Sequence, residues 1–195
     1  MDIFKAATSW LNMVTYKEER EWNRLYRSNW RFLAKWTKEK WSGRSYLSWM
    51  RSKAYKKHYG LQNTPTIQYG VQIICEHHLV GKLEIGKNVL LAKDCFIDYT
   101  GDVTIKDNVQ ITYGVIIQSH YHPWHSDWKK DHGTVQTSII IEEGAVIGSK
   151  AIVMASCHYI GKHARVGAGS VVTHDVPDFA VVVGSPARVI RIQEH

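Results

Sequence analysis

Cysteine, proline and long apolar runs are all scarce in this chain. Cys75, Cys95 and Cys157 form an odd set with no CxxC spacing. They read as small buried hydrophobes in a reducing cytoplasm, not as a disulfide framework. No apolar run approaches the ~20 residues that span a bilayer. The charge-free stretch near the start, Ala6 to Tyr16, is 11 residues long and contains Thr, Ser and Asn. A basic leader with a long apolar core and a small-residue cleavage site is also missing, so no secretory signal is expected. Between Glu18 and Lys57 there is no proline and a single glycine, Gly43. With 44% hydrophobic and 22% charged residues, the composition excludes wholesale disorder.

The charge is unevenly placed. Residues 1–60 hold fourteen Lys/Arg against five Asp/Glu, and residues 61–195 hold eleven against thirteen. Six of the eight tryptophans also fall in the first segment. The chain therefore divides near Gly60–Pro65 into a basic, Trp-rich segment, 1–60, and a second domain, 65–192. In the first, Trp22, Leu25, Tyr26, Asn29, Leu33 and Trp36 recur at helical spacing, which predicts amphipathic helices broken near Ser42–Gly43. Their aromatic face packs on the main domain or on a neighbouring subunit; peripheral contact with an anionic membrane is the second reading. No recognition motif supports nucleic acid as a partner.

The second domain is periodic. An aliphatic residue recurs every six positions at Ile67, Ile73, Leu79, Ile85, Leu91 and Ile97. Two extra residues in Asp98–Thr104 reset the series, which continues at Ile105, Ile111 and Ile117. After a gap of 23 residues it resumes at Ile141, Ile147 and Val153, gains one residue, and runs on through Ile160, Val166 and Val172. Small or branched residues often lie four positions later, as at Val89, Cys95, Val109, Val115, Ala145, Ala151, Cys157, Ala164 and Ser170. A strict six fits neither a 3.6-residue nor a two-residue period. It fits short flat strands separated by turns, three to a coil, each sending one aliphatic side chain inward, with coils stacked about 4.8 Å apart.

At its C-terminal end the chain reads Ile160-Gly161, then Val166-Gly167-Ala168-Gly169-Ser170-Val171-Val172-Thr173-His174-Asp175-Val176-Pro177, then Gly184-Ser185-Pro186-Ala187-Arg188-Val189-Ile190-Arg191. These residues and the repeat resemble the hexapeptide-repeat acyltransferases over about residues 65–192. The nearest branch is the bacterial sugar O-acetyltransferases of the galactoside, maltose and exopolysaccharide kind. The resemblance implies a mainly β fold: a left-handed parallel β-helix of about five coils, with an N-terminal α-helical segment and a long loop between coils three and four. The handedness, contrary to the usual crossover rule, comes from the family and not from the periodicity.

The resemblance also implies a reaction and a site. The reaction is acetyl transfer from acetyl-CoA to a hydroxyl of a sugar or related small acceptor, with a His at the base of the long loop as general base; imidazole suits the task because it titrates near neutrality. The loop holds His120, His122, His125 and His132. In the galactoside branch the catalytic His precedes Pro and stands 17 residues before the aliphatic residue that starts the next coil edge. His122-Pro123 and Ile139 reproduce this, with His120 the second candidate. Carried-over acetyl-CoA contacts are Ser149, Ala168, Thr173, His174, Arg188 and Arg191. Asp94, Asp98 and Trp124 are the expected acceptor contacts; Trp124 and Trp128 also read as loop anchors. Relatives carry an amide near Ala92 and often Trp at Val146, so this chain's acceptor is expected to differ. The implied assembly is a homotrimer in the cytoplasm, with no metal. Two other classes fit parts of the pattern: a γ-carbonic-anhydrase-like zinc site drawn from His120, His125 and His77 or His78, and a non-catalytic scaffold.

Overall fold

The computed structural model describes residues 46–75, 81–123 and 133–194. The chain divides into two compact units, Met1–Tyr46 and Leu47–His195. The helices expected before residue 46 lie outside the described residues.

Helix α1 (Tyr46–His58), all but its first residue in the second unit, contains neither Gly nor Pro. It ends where Gly60 takes a left-handed φ of 62°. The Leu61 amide then reaches back to the Lys56 carbonyl at 2.9 Å, the usual glycine-terminated closure. Lys56, Lys57 and His58 occupy the last turn, against the negative end of the helix dipole.

Three-sided turns follow. The first is β1 (Thr66–Ile67), β2 (Gln72–Ile74) and β3 (Leu83–Ile85); the second is β4 (Leu90–Leu91), β5 (Phe96–Asp98) and β6 (Val103–Ile105). The third is β7 (Gln110–Ile111), β8 (Ile116–Gln118), a hairpin of β9 (His120–Tyr121) and β10 (Val135–Gln136), and β11 (Ile139–Ile141). The fourth is β12 (Val146–Ile147), β13 (Ile152–Val153) and β14 (Tyr159–Ile160). The fifth is β15 (Arg165–Val166), β16 (Val171–Val172) and a single bridge from Val176 to Ile160. Strands β17 (Ala180–Gly184) and β18 (Ala187–Ile192) close the chain as an antiparallel hairpin. The first sides stack in parallel as one sheet, the second sides as another and the third sides as a third. This is a mainly β parallel β-helix of five turns, as the six-residue period predicts. Counted from β1, the long loop falls inside the third turn.

The inward positions match the expected series. Ile67, Leu91, Ile111 and Ile147 are fully buried on the first sheet, Ile97, Ile117 and Val153 on the second, and Ile141 and Ile160 on the third. The smaller residues four positions on, from Val89 to Ser170, are buried as well. They fill the corners of a triangle too narrow for larger side chains. Leu79 is outside the described residues, and the third side of the first turn is Ile85, paired with Ile105. At the far end Val176 and Val182 continue the ladders.

Two edges of the prism are built from a repeated corner. Between first and second sides the chain turns through Gly70, Asp94, Gly114, Lys150 and Gly169, each with left-handed φ. Between third and first sides it turns through Asn88, Asn108, Gly144, His163 and Phe179, also left-handed. The edge between second and third sides lacks this corner and carries the insertions.

Cys95 and Cys157 are fully buried, and burial pushes the Cys157 thiol up to about 12. Since only thiolate reacts, a disulfide-exchange reagent is expected to leave both untouched in native protein and to titrate all three cysteines after unfolding. Rapid native reaction of Cys157 would contradict the tight corner packing.

Candidate active site

The site stands on the irregular edge, at the foot of the long loop. The second-sheet ladder pairs Asp98 with Gln118, which sets Asp98 beside the first residues of the loop. The loop base is then pinned as a hairpin, with His120 opposite Gln136 and Tyr121 opposite Val135.

Asp98 is the centre of a closed network. Its Oδ1 accepts the Thr100 amide at 2.9 Å and the Thr100 hydroxyl at 2.5 Å. Its Oδ2 accepts the Ser119 amide at 3.1 Å and stands 2.6 Å from His120 Nδ1. The Asp98 side chain is 2% exposed and that of His120 13%. A carboxylate surrounded by donors can only accept, so the proton between them belongs to His120 Nδ1, and neutral His120 keeps its lone pair on Nε2. Ser119 ties the layers further: its Oγ accepts the Gly101 amide at 2.9 Å, and its carbonyl accepts the Thr137 amide at 2.8 Å and hydroxyl at 3.0 Å. The Gln136 amide donates to the Thr100 carbonyl. A buried polar cluster with every partner supplied is rigid.

His122 stands beside this cluster. Its ring meets that of His120 edge to face, with centroids 5.3 Å apart and planes at 84°. His122 is exposed, directly after β9.

The other sequence-predicted residues fall in three places. Asp94, Ser149 and Ala168 lie on the first edge, where the Gly169 amide bonds the Ser149 carbonyl at 2.8 Å and the Ser149 hydroxyl stands 3.2 Å from that of Thr112. Thr173 and His174 lie on the irregular edge with His120, joined by a 2.9 Å contact between Thr173 Oγ1 and His174 Nδ1. Arg188 and Arg191 are exposed on β18. Asp94 and Asp98 thus sit at opposite ends of β5, and one chain does not bring them together. Trp124, Trp128, His125, His132, His77 and His78 lie outside the described residues. Among the described residues no group of three or more His, Cys, Asp or Glu is placed to hold a metal.

Sequence reasoning did not foresee the Asp98–His120 pair or its supports Thr100, Ser119 and Gln136. The signal was present: extending the Ile97–Ile117 register by one residue pairs 98 with 118, two short of His120.

The fold defines a class, the parallel β-helices built on a six-residue repeat. The structure is similar to a hexapeptide-repeat-containing acetyltransferase from Vibrio cholerae, with a TM-score of 0.65, 24% identity, and 88% of this chain and 93% of that one covered. That protein has also been solved in complex with acetyl-CoA. In particular, the chain is similar to the galactoside O-acetyltransferase of Escherichia coli, at 37% identity over 111 residues, 56% of this chain and 53% of the relative. It is also similar to the solved maltose O-acetyltransferase of Clostridium difficile, with a TM-score of 0.59, 25% identity and 87% of each chain covered. The chain spans about half the length of the galactoside and serine acetyltransferases it matches, and a smaller share of other relatives. No protein-family model matches it.

Proposed function

We propose that this chain is a CoA-dependent acyltransferase that moves an acetyl group from acetyl-CoA to a hydroxyl of a sugar or related small acceptor. The observation that carries the reading is the histidine pair at the loop foot, one member held by a buried carboxylate, on a β-helix of the acetyltransferase kind. His122 takes the proton of the acceptor hydroxyl. The oxygen attacks the thioester carbonyl, the carbon–sulfur bond breaks, and the CoA thiolate recovers the proton from the imidazolium. The products are an acetyl ester and free CoA, with no acyl-enzyme. Asp98, whose oxygens are taken up inside the protein, acts through His120: it holds that ring, and that ring backs His122. Asp94 and Trp124 contact the acceptor.

Acetyl-CoA contacts Ser149, Ala168, Thr173, His174, Arg188 and Arg191. Ser149 and Ala168 lie on one, and Thr173 and His174 on the other, of the two edges that flank the outer face of the second sheet, while Arg188 and Arg191 stand on β18 of the first sheet. Along that face four outward residues in register are apolar, Phe96 beside Ile116, Ile116 beside Ile152, and Ile152 beside Val171, with Gln72 ahead of them on β2. An apolar stripe flanked by two half-sites supports a closed homotrimer, in which the neighbouring copy supplies the second wall of the groove. Ile152→Arg leaves the inward core untouched and is expected to give folded, inactive monomer by sedimentation. A fully active monomer would remove the shared groove. The reading extends to a cytoplasmic enzyme of polysaccharide biosynthesis, with the basic N-terminal segment available for peripheral membrane contact.

The deciding experiment offers acetyl-CoA with a panel of hydroxyl acceptors and follows free thiol release. Acceptor-dependent release that is lost in His122→Ala supports the reading. If no neutral, acidic or nucleotide-linked sugar raises release above background, acyl transfer to a saccharide is wrong.

A further inference from the structure

The outer face of the first sheet ends in a cluster of cations. Strand partners in register share one side of a sheet. Val166 pairs with Val182, and both are 3% exposed and point inward. The neighbouring pair, Arg165 and Val181, therefore faces outward. Across the hairpin Val181 pairs with Arg191, and Val183 with Arg188. Val183, 38% exposed, lies on the same outward side. Arg165, Arg188 and Arg191 thus stand on one face, on strands separated by no more than two spacings, roughly 10 Å.

Among the described residues no carboxylate forms an ion pair with any of the three. Arg188 Nη1 donates only to the carbonyl of its own neighbour, Ala187, at 2.9 Å. Asp178, at the corner before β17, is occupied by the Tyr159 hydroxyl at 2.8 Å and the Lys162 amide at 2.8 Å. Gathering like charges without a counter-charge opposes folding, and guanidinium groups are suited to bidentate recognition of phosphate. The valines between them give the patch an apolar floor.

We propose that Arg165 is a third phosphate-binding arginine, which with Arg188 and Arg191 grips a phosphate of CoA on the outer face of the first sheet. The proposal rests on the acyltransferase reading and deepens it. Arg165 lies outside the closing residues that carry the family resemblance, and only strand register places it with the other two.

The test titrates CoA, 3′-dephospho-CoA and pantetheine into wild type, Arg165→Ala and Arg165→Lys by calorimetry, at low salt and at about 0.5 M salt. Arg165→Ala is expected to weaken CoA about tenfold at low salt and to leave pantetheine unchanged. The loss shrinks at high salt, and Arg165→Lys recovers part of it. Dephospho-CoA tells which phosphate is held: a smaller loss than for CoA assigns the 3′-phosphate, an equal loss the pyrophosphate. Unchanged CoA affinity, or an equal loss for pantetheine, overturns the proposal. So does a lower unfolding temperature of the unliganded Ala variant, which would make Arg165 a residue of the fold. Wild type that binds CoA beside an unaffected Arg165→Ala sinks Arg165 alone. Wild type that binds no CoA sinks the acyltransferase reading with it.

Discussion

His122→Ala is expected to lower turnover by roughly 10²–10⁴-fold and to leave acetyl-CoA affinity nearly intact. A sugar hydroxyl is a poor nucleophile until a base takes its proton in the transition state. The proposed cofactor contacts lie on other turns and do not pass through His122. Asp98→Asn has a different expected signature. The amide can turn its NH₂ toward His120 Nδ1, which moves the ring proton to Nε2 and loosens the hold on the ring. A drop in turnover of roughly tenfold or more is expected, again with cofactor affinity retained. Nitrogen chemical shifts of the His120 ring report the tautomer directly and do not depend on activity. Turnover measured on the three variants His122→Ala, His120→Ala and Asp98→Asn separates the roles. Near-normal His122→Ala beside inactive His120→Ala would transfer the base to His120. Near-normal activity in both would remove histidine base catalysis.

Gly101→Ala is expected to destabilise the protein by about 3 kcal/mol, at the upper end for overpacking, and to lower the unfolding midpoint by roughly 6–12 °C. A methyl group on Gly101 runs into the carbonyl and amide of Thr137 and the carbonyl of Ser119. These are backbone atoms, already bonded to one another, and they cannot swing aside. Gly101 also donates its amide to Ser119 Oγ, so the strain falls one residue from His120. Turnover is expected to fall with stability, which calorimetry and a thiol assay on one preparation can show. An unchanged midpoint would mean that the loop foot yields easily and is not the rigid support inferred for the histidines.

The fold was legible because the prism repeats one demand at every turn. Each side needs one branched aliphatic side chain and each corner something smaller, and Ile97, Cys95, Ile117 and Val115 announce both. Legibility failed where the chain departs from the period. Twelve residues separate Ile73 from Ile85, and a strict six inserts Leu79 between them, although the ladder runs from Ile85 to Ile105. Only four separate Val172 from Val176, so the last third-side contact was missed. At the site, the spacing of His122 to Pro123 and Ile139 drew the eye along the chain. The Asp98–His120 bond runs across it, between turns, and becomes visible only once register is fixed. Asp94 and Asp98 look like neighbours in sequence, yet one short strand carries them to opposite edges.

A stack of equal turns has no internal reason to stop: its last strand is a template for another, as in a filament. Helix α1 ends the stack on one side. Tyr55 and Tyr59 hydroxyls donate to the Val71 and Ile73 carbonyls at 2.8 and 2.7 Å. Ser48 and Arg51 donate to the Ile67 carbonyl at 3.2 Å, and Ser52 Oγ accepts the Ile67 amide at 3.1 Å. At Ile67, Val71 and Ile73, on the first two sides, the groups a further turn would use are already spent. The helix therefore sets a ruler, because the four spacings between five turns, at about 4.8 Å each, fix each edge at roughly 19 Å, and any extended ligand lying along an edge is measured against that length. Shortening the chain past α1 would remove the stop and leave a surface that grows by adding copies of itself.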